Sequence, residues 1–316
     1  VELFACPDDV PTLENFAYGD TPTDEALRSL LHELLNAGED FAVSLYELSQ
    51  RHDLRPLVLR TALTYLELMG VLQQGTPFYA GYDVRPLREL SQILIQYPGE
   101  PGIFLAEIFQ RAKKGRIWYG MNPDALAEML GQPRRRIVRA IEVLEERGQC
   151  AVRASDLRQH YYRLHHTDDA NALLTELVAR FQKRETHEVE RVRKMLALAN
   201  HDGCLVNELV GYFGELRTEP CGHCTHCLTG QRVMLPDRQA LPSLPADLDV
   251  TGLRALRQEL PGALGHPRQL ARFLCGLSSP ALSKAKLTRH ALFGTLENRH
   301  FHEVLCWCSD TFDNGK

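Results

Sequence analysis

Four cysteines between residues 204 and 227 constrain the fold of this 316-residue chain more than any other feature. They follow the spacing Cys204-x16-Cys221-x2-Cys224-x2-Cys227. Thiolates bind Zn²⁺ at ~2.3 Å in a tetrahedron, and closely spaced C-x-x-C turns with one remote cysteine supply four such ligands. The sequence therefore predicts a closed four-cysteine zinc site. Its role is structural, because a complete ligand shell leaves no position for a reacting water.

Two alternative interpretations use the same segment. His223 and His226 lie inside the cluster and are alternative zinc ligands. Cys221-Gly222-His223-Cys224 is also the CGHC tetrad of thioredoxin-type disulfide-exchange enzymes, which carry it at the end of a strand in a βαβ fold. No alternating pattern of strands and helices surrounds the tetrad in this sequence, and a further cysteine follows at metal spacing. The metal site is therefore the favoured interpretation.

The residues around the cluster resemble the zinc-binding domain of RecQ-family DNA helicases. Cys204 opens a predicted helix that ends in Tyr-Phe-Gly-Glu at residues 212–215, and the C-x-x-C-x-x-C motif follows at the family's spacing. The resemblance, over residues 188–228, implies the C-terminal region of an ATP-dependent 3′→5′ DNA helicase that acts in DNA repair and recombination. The chain has no G-x-x-x-x-G-K-[ST] loop. The resemblance thus implies that ATP and Mg²⁺ bind only to motor lobes upstream in the parent protein.

The order of helical and strand-like segments predicts a mainly α fold with small β wings, built from tandem winged helices. Residues 23–100 and residues 101–166 each read helix, strand, helix, turn, helix and a β-rich segment, which is the order of a winged helix. Within them we expect a hairpin at residues 71–83 and a wing at residues 149–164. Residues 1–22 are similar to the tail end of a preceding motor domain.

The second half of the chain is expected to form the zinc-binding domain and a separate C-terminal module. Residues 167–233 contain one long helical stretch or two consecutive helices, then the cysteines, and predict a zinc-bound helical-hairpin platform. Residues 234–250 are proline-rich and read as a linker. Residues 251–316 predict a small helical or winged-helix-like module. This order departs from the family, in which the zinc domain usually follows the motor directly.

Charge is distributed unevenly along the chain. Residues 1–100 contain 6 basic and 16 acidic residues, a net charge of −10 within a total of −5, so the remainder carries +5. A basic surface favours phosphates. We therefore expect DNA to bind the later part of the chain, as a fork, a duplex or a single-strand junction. The acidic first third is interpreted as a surface that contacts a protein partner or the motor lobes.

Ten basic residues are candidates for DNA contacts. Four of them begin the predicted recognition helix of the second winged helix, where the helix N-terminus adds a favourable field for phosphate. The others lie in the predicted wing, the long helix and the tail. Trp118, Tyr119, Tyr161 and Tyr162 are candidates for stacking on unpaired bases. The ten basic candidates are Arg134, Arg135, Arg136, Arg139, Arg153, Arg158, Arg184, Arg191, Lys284 and Lys286.

Two functions compete for this pattern. The first is the DNA-binding C-terminal region of a RecQ-like helicase, which predicts preference for forks or single-strand junctions. The second is a tandem winged-helix transcription regulator with structural zinc and no enzymatic activity, which predicts sequence-specific duplex binding. No apolar run reaches the ~18–20 residues needed to span a bilayer. Nine cysteines, an odd number, do not suggest a disulfide framework. We expect a reducing cytoplasmic location, associated with the nucleoid.

Overall fold

The computed structural model describes residues 2–164, 169–238, 241–244 and 248–312. Over these residues the chain is mainly helical and carries a curled antiparallel sheet. The predicted class, mainly α with a smaller β component, is therefore confirmed. None of the helices in the described ranges is long and apolar enough to cross a membrane.

Helices occur along the whole described chain, whereas the strands lie between residues 40 and 163. The helices are α1 (Val10–Gly19), α2 (Asp24–Asn36), α3 (Leu45–His52), α4 (Pro56–Leu68), α5 (Leu90–Leu94), α6 (Glu100–Arg111), α7 (Pro123–Leu130), α8 (Arg134–Glu146), α9 (Ala170–Ala199), α10 (Leu205–Tyr212), α11 (Thr225–Thr229), α12 (Val250–Glu259), α13 (Pro261–Leu264), α14 (Pro267–Leu274), α15 (Pro280–Lys284) and α16 (Phe301–Phe312). The strands are β1 (Asp40–Val43), β2 (Leu72–Gln74), β3 (Phe78–Pro86), β4 (Lys113–Lys114), β5 (Tyr119–Met121) and β6 (Cys150–Arg163).

Local sequence explains several helix boundaries. Asn122 begins α7 because its side-chain oxygen accepts hydrogen bonds from the N–H groups of Asp124 and Ala125, both at 3.0 Å. Gly131 ends that helix in the left-handed conformation, with φ +60. The long helical stretch is one helix of 30 residues, α9, which Asp169 caps by accepting from Ala172 N–H.

The chain divides into two compact units. Residues 1–36, 48–69 and 167–316 form the first, which we call the helical unit. Its C-terminal part packs around side chains that are fully buried, among them Leu270, Phe273 and Phe301. Residues 37–47 and 70–166 form the second, which we call the sheet unit.

The sheet unit is organised by β6, a strand of 14 residues. Its C-terminal half pairs with β1 on one side, where Asp40 lies opposite Tyr162, and with β2, where Gln74 lies opposite Tyr161. Its N-terminal half pairs with β3, which continues through β5 to β4. Below the sheet, α8 contributes Ile137, which is fully buried, to a core shared with α6 and α7.

The predicted hairpin at residues 71–83 is wrong. The segment at residues 71–83 contains β2 and β3, which pair with β6 and not with each other. The segment at residues 149–164, predicted as a wing, contains one uninterrupted strand, Cys150–Arg163. Strands β2 and β3 both run antiparallel to β6, with Leu72 opposite Arg163 and Phe78 opposite Arg158. The sum of the paired residue numbers is 235 for β2 and 236 for β3, so the register shifts by one residue between them. Turn-forming residues at 75–77 thus interrupt a strand instead of reversing the chain.

Candidate metal centre and nucleic-acid interface

The backbone brings the four cysteines together through two helix starts and a glycine turn. Cys204 is the residue that precedes α10, in extended conformation, and Cys224 holds the same position before α11. The Cys224 sulfur accepts from Cys227 N–H at 3.5 Å, which caps the short helix. Gly222 adopts φ +74 between the first two cysteines of the motif, a conformation that favours glycine.

The sulfur atoms have the spacing of a tetrahedral metal site. All four Sγ atoms lie within 4.8 Å of one another, and those of Cys221 and Cys227 are 3.9 Å apart. A tetrahedron with Zn–S bonds of ~2.3 Å has S···S edges of about 3.8 Å, so the four sulfurs are close enough to bind one zinc ion. The predicted structural Zn²⁺ site is thereby confirmed. His223 and His226 turn elsewhere: His223 Nδ1 bonds the carbonyl of Cys221 at 2.8 Å, and His226 Nε2 lies 3.5 Å from Asp202.

Backbone N–H groups favour the thiolate form of these ligands. The N–H of Cys221 donates to Cys204 Sγ at 3.3 Å and lowers the pKa of that thiol. The N–H of Cys227 donates to Cys224 Sγ and lowers the pKa of Cys224 to about 6. The hydrogen bond with the Cys224 side chain raises the pKa of Cys227 to about 12. Thiolates are the form that binds metal.

Little apolar packing supports this region. Neither α10 nor α11 contains a buried residue, and Phe213 and Leu216 are largely exposed. The metal therefore has to supply stabilisation that an apolar core supplies elsewhere. No strand occurs in the described residues between 165 and 238, so the CGHC tetrad lacks the setting of a thioredoxin-type redox site.

The first two candidate arginines of α8 differ in their partners. Arg134 Nε lies 3.0 Å from a carboxylate oxygen of Asp124, and both side chains are more than half exposed. Arg135 is exposed and has no ion-pair or hydrogen-bond partner within the described ranges.

The other two arginines of α8 are held by side chains of the sheet unit. Arg136 pairs with Glu100 and places its guanidinium carbon 4.2 Å from the centre of the Phe104 ring. Arg139 donates to both oxygens of Glu146, at 2.8 and 3.1 Å, and these bonds raise its pKa. The structure thus gathers the four predicted arginines at the beginning of one helix, with three of them in exposed ion pairs.

The candidates on β6 also pair with carboxylates. Arg153 donates to Asp83 through two nitrogens, at 3.0 and 2.9 Å. Arg158 bonds Glu47 at 3.0 Å and Asp156 at 2.8 Å, and its pKa is raised chiefly by the bond to Asp156.

The remaining candidates belong to the helical unit. Arg184 donates to the Thr61 hydroxyl at 3.1 Å, and Arg191 pairs with Glu188 at 3.1 Å. Lys284 and Lys286 are exposed, and no ion pair involves either of them in the part of the chain that the structure describes.

The predicted stacking residues have different surroundings. Tyr161 is buried and stacks on Phe41 at 6.0 Å between ring centres, so it is not available to a base. Tyr119 packs edge-on against Phe109 in the sheet-unit core. Tyr162 is exposed, and Trp118 lies half-buried beside two arginines.

Sequence reasoning missed the cation that completes the Trp118 environment. Arg85, on β3, places its guanidinium carbon 5.2 Å from the Trp118 ring centre. Arg85 is not among the ten basic candidates predicted from the sequence, and it is 33 residues from Trp118 in the chain. Only the pairing of β3 with β5 brings them together.

Comparison with known protein families identifies one region of the chain. Residues 155–228 match the family model described as RecQ zinc-binding. The match runs from β6 through α9 and α10 to the last cysteine of the cluster. No curated protein matches the chain. The match supports a RecQ-type zinc-binding domain in this part of the chain, and it does not favour the transcription regulator.

Proposed function

We propose that this chain is the DNA-binding and structural C-terminal region of a RecQ-like ATP-dependent 3′→5′ DNA helicase that acts in DNA repair and recombination. The observation that carries the proposal is the four-cysteine cluster, which has zinc geometry and lies inside the RecQ zinc-binding match. The motor lobes, with ATP and Mg²⁺, belong to the parent protein. The protein works on DNA in the cytoplasm, at the nucleoid.

Zinc supports a platform in this proposal. When bound, Zn²⁺ crosslinks Cys204, at the start of α10, to the turn at residues 221–227. Helix α10 packs against α9, where the Lys194 ammonium lies 5.4 Å from the centre of the Tyr212 ring. At 1.5 Å per residue, the 30 residues of α9 extend about 45 Å. The metal thus anchors one end of a long, stiff helix that is positioned to lie beside the motor.

Helix α8 provides the grip on DNA. Helices α7 and α8 follow one another through a turn at Gly131, the order of elements expected of a helix-turn-helix, and the second helix begins with three arginines. Arg135 has no competing carboxylate among the described residues. The ion pairs of Arg134 and Arg136 are partly exposed, and such pairs contribute only about 0–1 kcal/mol each. A phosphate therefore replaces these carboxylates at low cost.

Fluorescence anisotropy with forked, duplex and single-stranded DNA over a salt series tests the proposal. The wild-type chain is compared with Arg134→Ala/Arg135→Ala/Arg136→Ala and with the control Arg254→Ala/Arg289→Ala, which removes exposed arginines of the helical unit. We expect a preference for forks. Losing three phosphate contacts reduces the slope of log K against log salt by about 2.7.

The alternatives predict different results. Strong preference for one duplex sequence, with about 1–3 kcal/mol lost per base change, supports the transcription regulator. Absence of DNA binding, or ATP hydrolysis by this chain alone, contradicts the proposed function. If the triple variant and the control bind DNA equally well, α8 does not contact the DNA.

A further inference from the structure

One face of the sheet unit carries small residues next to exposed apolar side chains. On β3 and β6, Tyr79 lies opposite Leu157 and Gly81 opposite Ser155, and both Tyr79 and Leu157 are about half exposed. Gly81 is buried, and a Cβ added there meets the Met121 carbonyl at 3.1 Å and Ser155 Oγ at 3.2 Å, which places Gly81 and Ser155 on the same face.

Cations surround the other end of this face. Arg153 lies opposite Asp83 on the neighbouring strand, and Gly120 follows on the next. A Cβ at Gly120 meets the side chains of Asp83 and Lys113 at 3.7 and 3.8 Å, so Lys113 belongs to the same face. One carboxylate therefore accompanies the cations of this row, and it is bonded to Arg153.

An indole completes the arrangement. The Trp118 ring centre lies 4.4 Å from the guanidinium carbon of Arg153 and 5.2 Å from that of Arg85. Arg85 is exposed and has no carboxylate partner in the described residues. Arg116 projects from the β4–β5 turn, which is closed by a hydrogen bond of 2.8 Å from Gly115 N–H to the Trp118 carbonyl. Indole and guanidinium planes are the groups on which unpaired bases stack.

We infer that this face, defined by Arg85, Lys113, Trp118 and Arg153, is a binding site for single-stranded DNA. The inference rests on the proposed function as a DNA-binding region and adds a site separate from α8. Arg85 and Lys113 meet phosphates, and Trp118 with its guanidinium neighbours carries a base. Duplex DNA keeps its bases stacked inside the helix, so the indole discriminates in favour of an unpaired strand.

The chain offers a direct optical test, because it contains two tryptophans, Trp118 and Trp307. In a Trp307→Phe background, Trp118 is the sole source of indole fluorescence. Titration with oligo-dT is expected to quench it, while a duplex of equal length leaves it largely unchanged. Trp118→Ala, measured by anisotropy with labelled oligo-dT, is expected to weaken binding about tenfold or more, and Trp118→Phe to retain most of the affinity.

A second variant separates charge from stacking. Arg85→Ala/Lys113→Ala is expected to reduce the salt slope for oligo-dT by about 1.4, at ~0.7 per phosphate contact. The control Tyr46→Ala removes an aromatic ring that is 71% exposed and outside this face. Thermal melting checks that every variant is folded. Oligo-dT binding that is unchanged in both variants, or duplex binding without any single-strand binding, overturns the inference and leaves the function of α8 intact. If the wild-type chain binds no DNA of any kind, both proposals are rejected.

Discussion

Replacing Cys224 by serine is expected to unfold α10 and the turn at residues 221–227 without unfolding the rest of the helical unit. The contacts other than zinc include the Lys194–Tyr212 contact, a hydrogen bond from Asn207 Nδ2 to the Glu219 carbonyl at 3.0 Å, one from Leu235 N–H to the Asn200 side chain at 2.9 Å and one from Arg232 Nε to the Asn200 carbonyl at 2.5 Å. Each such bond contributes about 1 kcal/mol. Structural zinc contributes ~10 kcal/mol or more, so the metal term is the larger by several-fold.

Hydrogen exchange resolves this local effect. A loss of only ~4 kcal/mol in local stability lowers amide protection by about 10³-fold, and we expect at least that decrease across α10 in Cys224→Ser or after chelation. Amides of α14, whose Leu270 and Phe273 are fully buried, are expected to keep their protection. Metal analysis of the same samples gives the zinc content.

The control is Cys306→Ser, which removes an exposed thiol outside the cluster. It is expected to retain both zinc and protection. A Cys224→Ser protein that has lost zinc yet keeps wild-type protection in α10 refutes the argument that the metal replaces an apolar core.

Three further outcomes follow from the contacts. Arg268→Met is expected to lower the free energy of unfolding by about 3 kcal/mol in urea titrations, because it leaves the Glu185 carboxylate, which is 16% exposed and bonded to Arg268 at 2.7 Å, without its cation; Arg268→Lys is the milder comparison. Asn122→Ala is expected to lose about 1 kcal/mol in the same assay through the cap of α7, whereas an unchanged midpoint contradicts that role. In native zinc-loaded protein at pH 8, iodoacetamide is expected to modify the exposed Cys6 and Cys306, read by mass spectrometry. After chelation, the four cluster cysteines are expected to be modified as well. Burial raises the pKa of Cys150 to about 11 and that of Cys275 to about 12, so early modification of these two thiols would contradict their burial.

The features that sequence predicted well depend on short stretches of chain. The C-x-x-C turn and the residue before α10 define three of the zinc ligand positions locally, and proline or asparagine marks the starts of α4 and α7. The hairpin prediction failed because strand pairing is not local. Gln74 pairs with Tyr161, 87 residues later, and nothing in the intervening pattern specifies that partner.

The charges of the candidate site show the same limit. Counting arginines predicts a basic surface, but the partner of Arg136 is Glu100, 36 residues earlier in the chain. Among the described residues, the exposed ion pairs at α8 leave Arg135 as the arginine without a carboxylate. Which cations remain available to a phosphate is therefore a property of the folded structure.

The long strand β6 also sets the order in which the sheet unit can be completed during synthesis. Strands β1, β2 and β3 all leave the ribosome before β6, and β3 ends 64 residues before β6 begins. Until β6 is made, nine residues of β3 lack the strand that pairs along most of their length. A shortened chain that ends near residue 100 leaves that edge uncovered permanently, and uncovered edges pair with other chains. The predicted boundary between the two modules is thus a poor place to divide the protein.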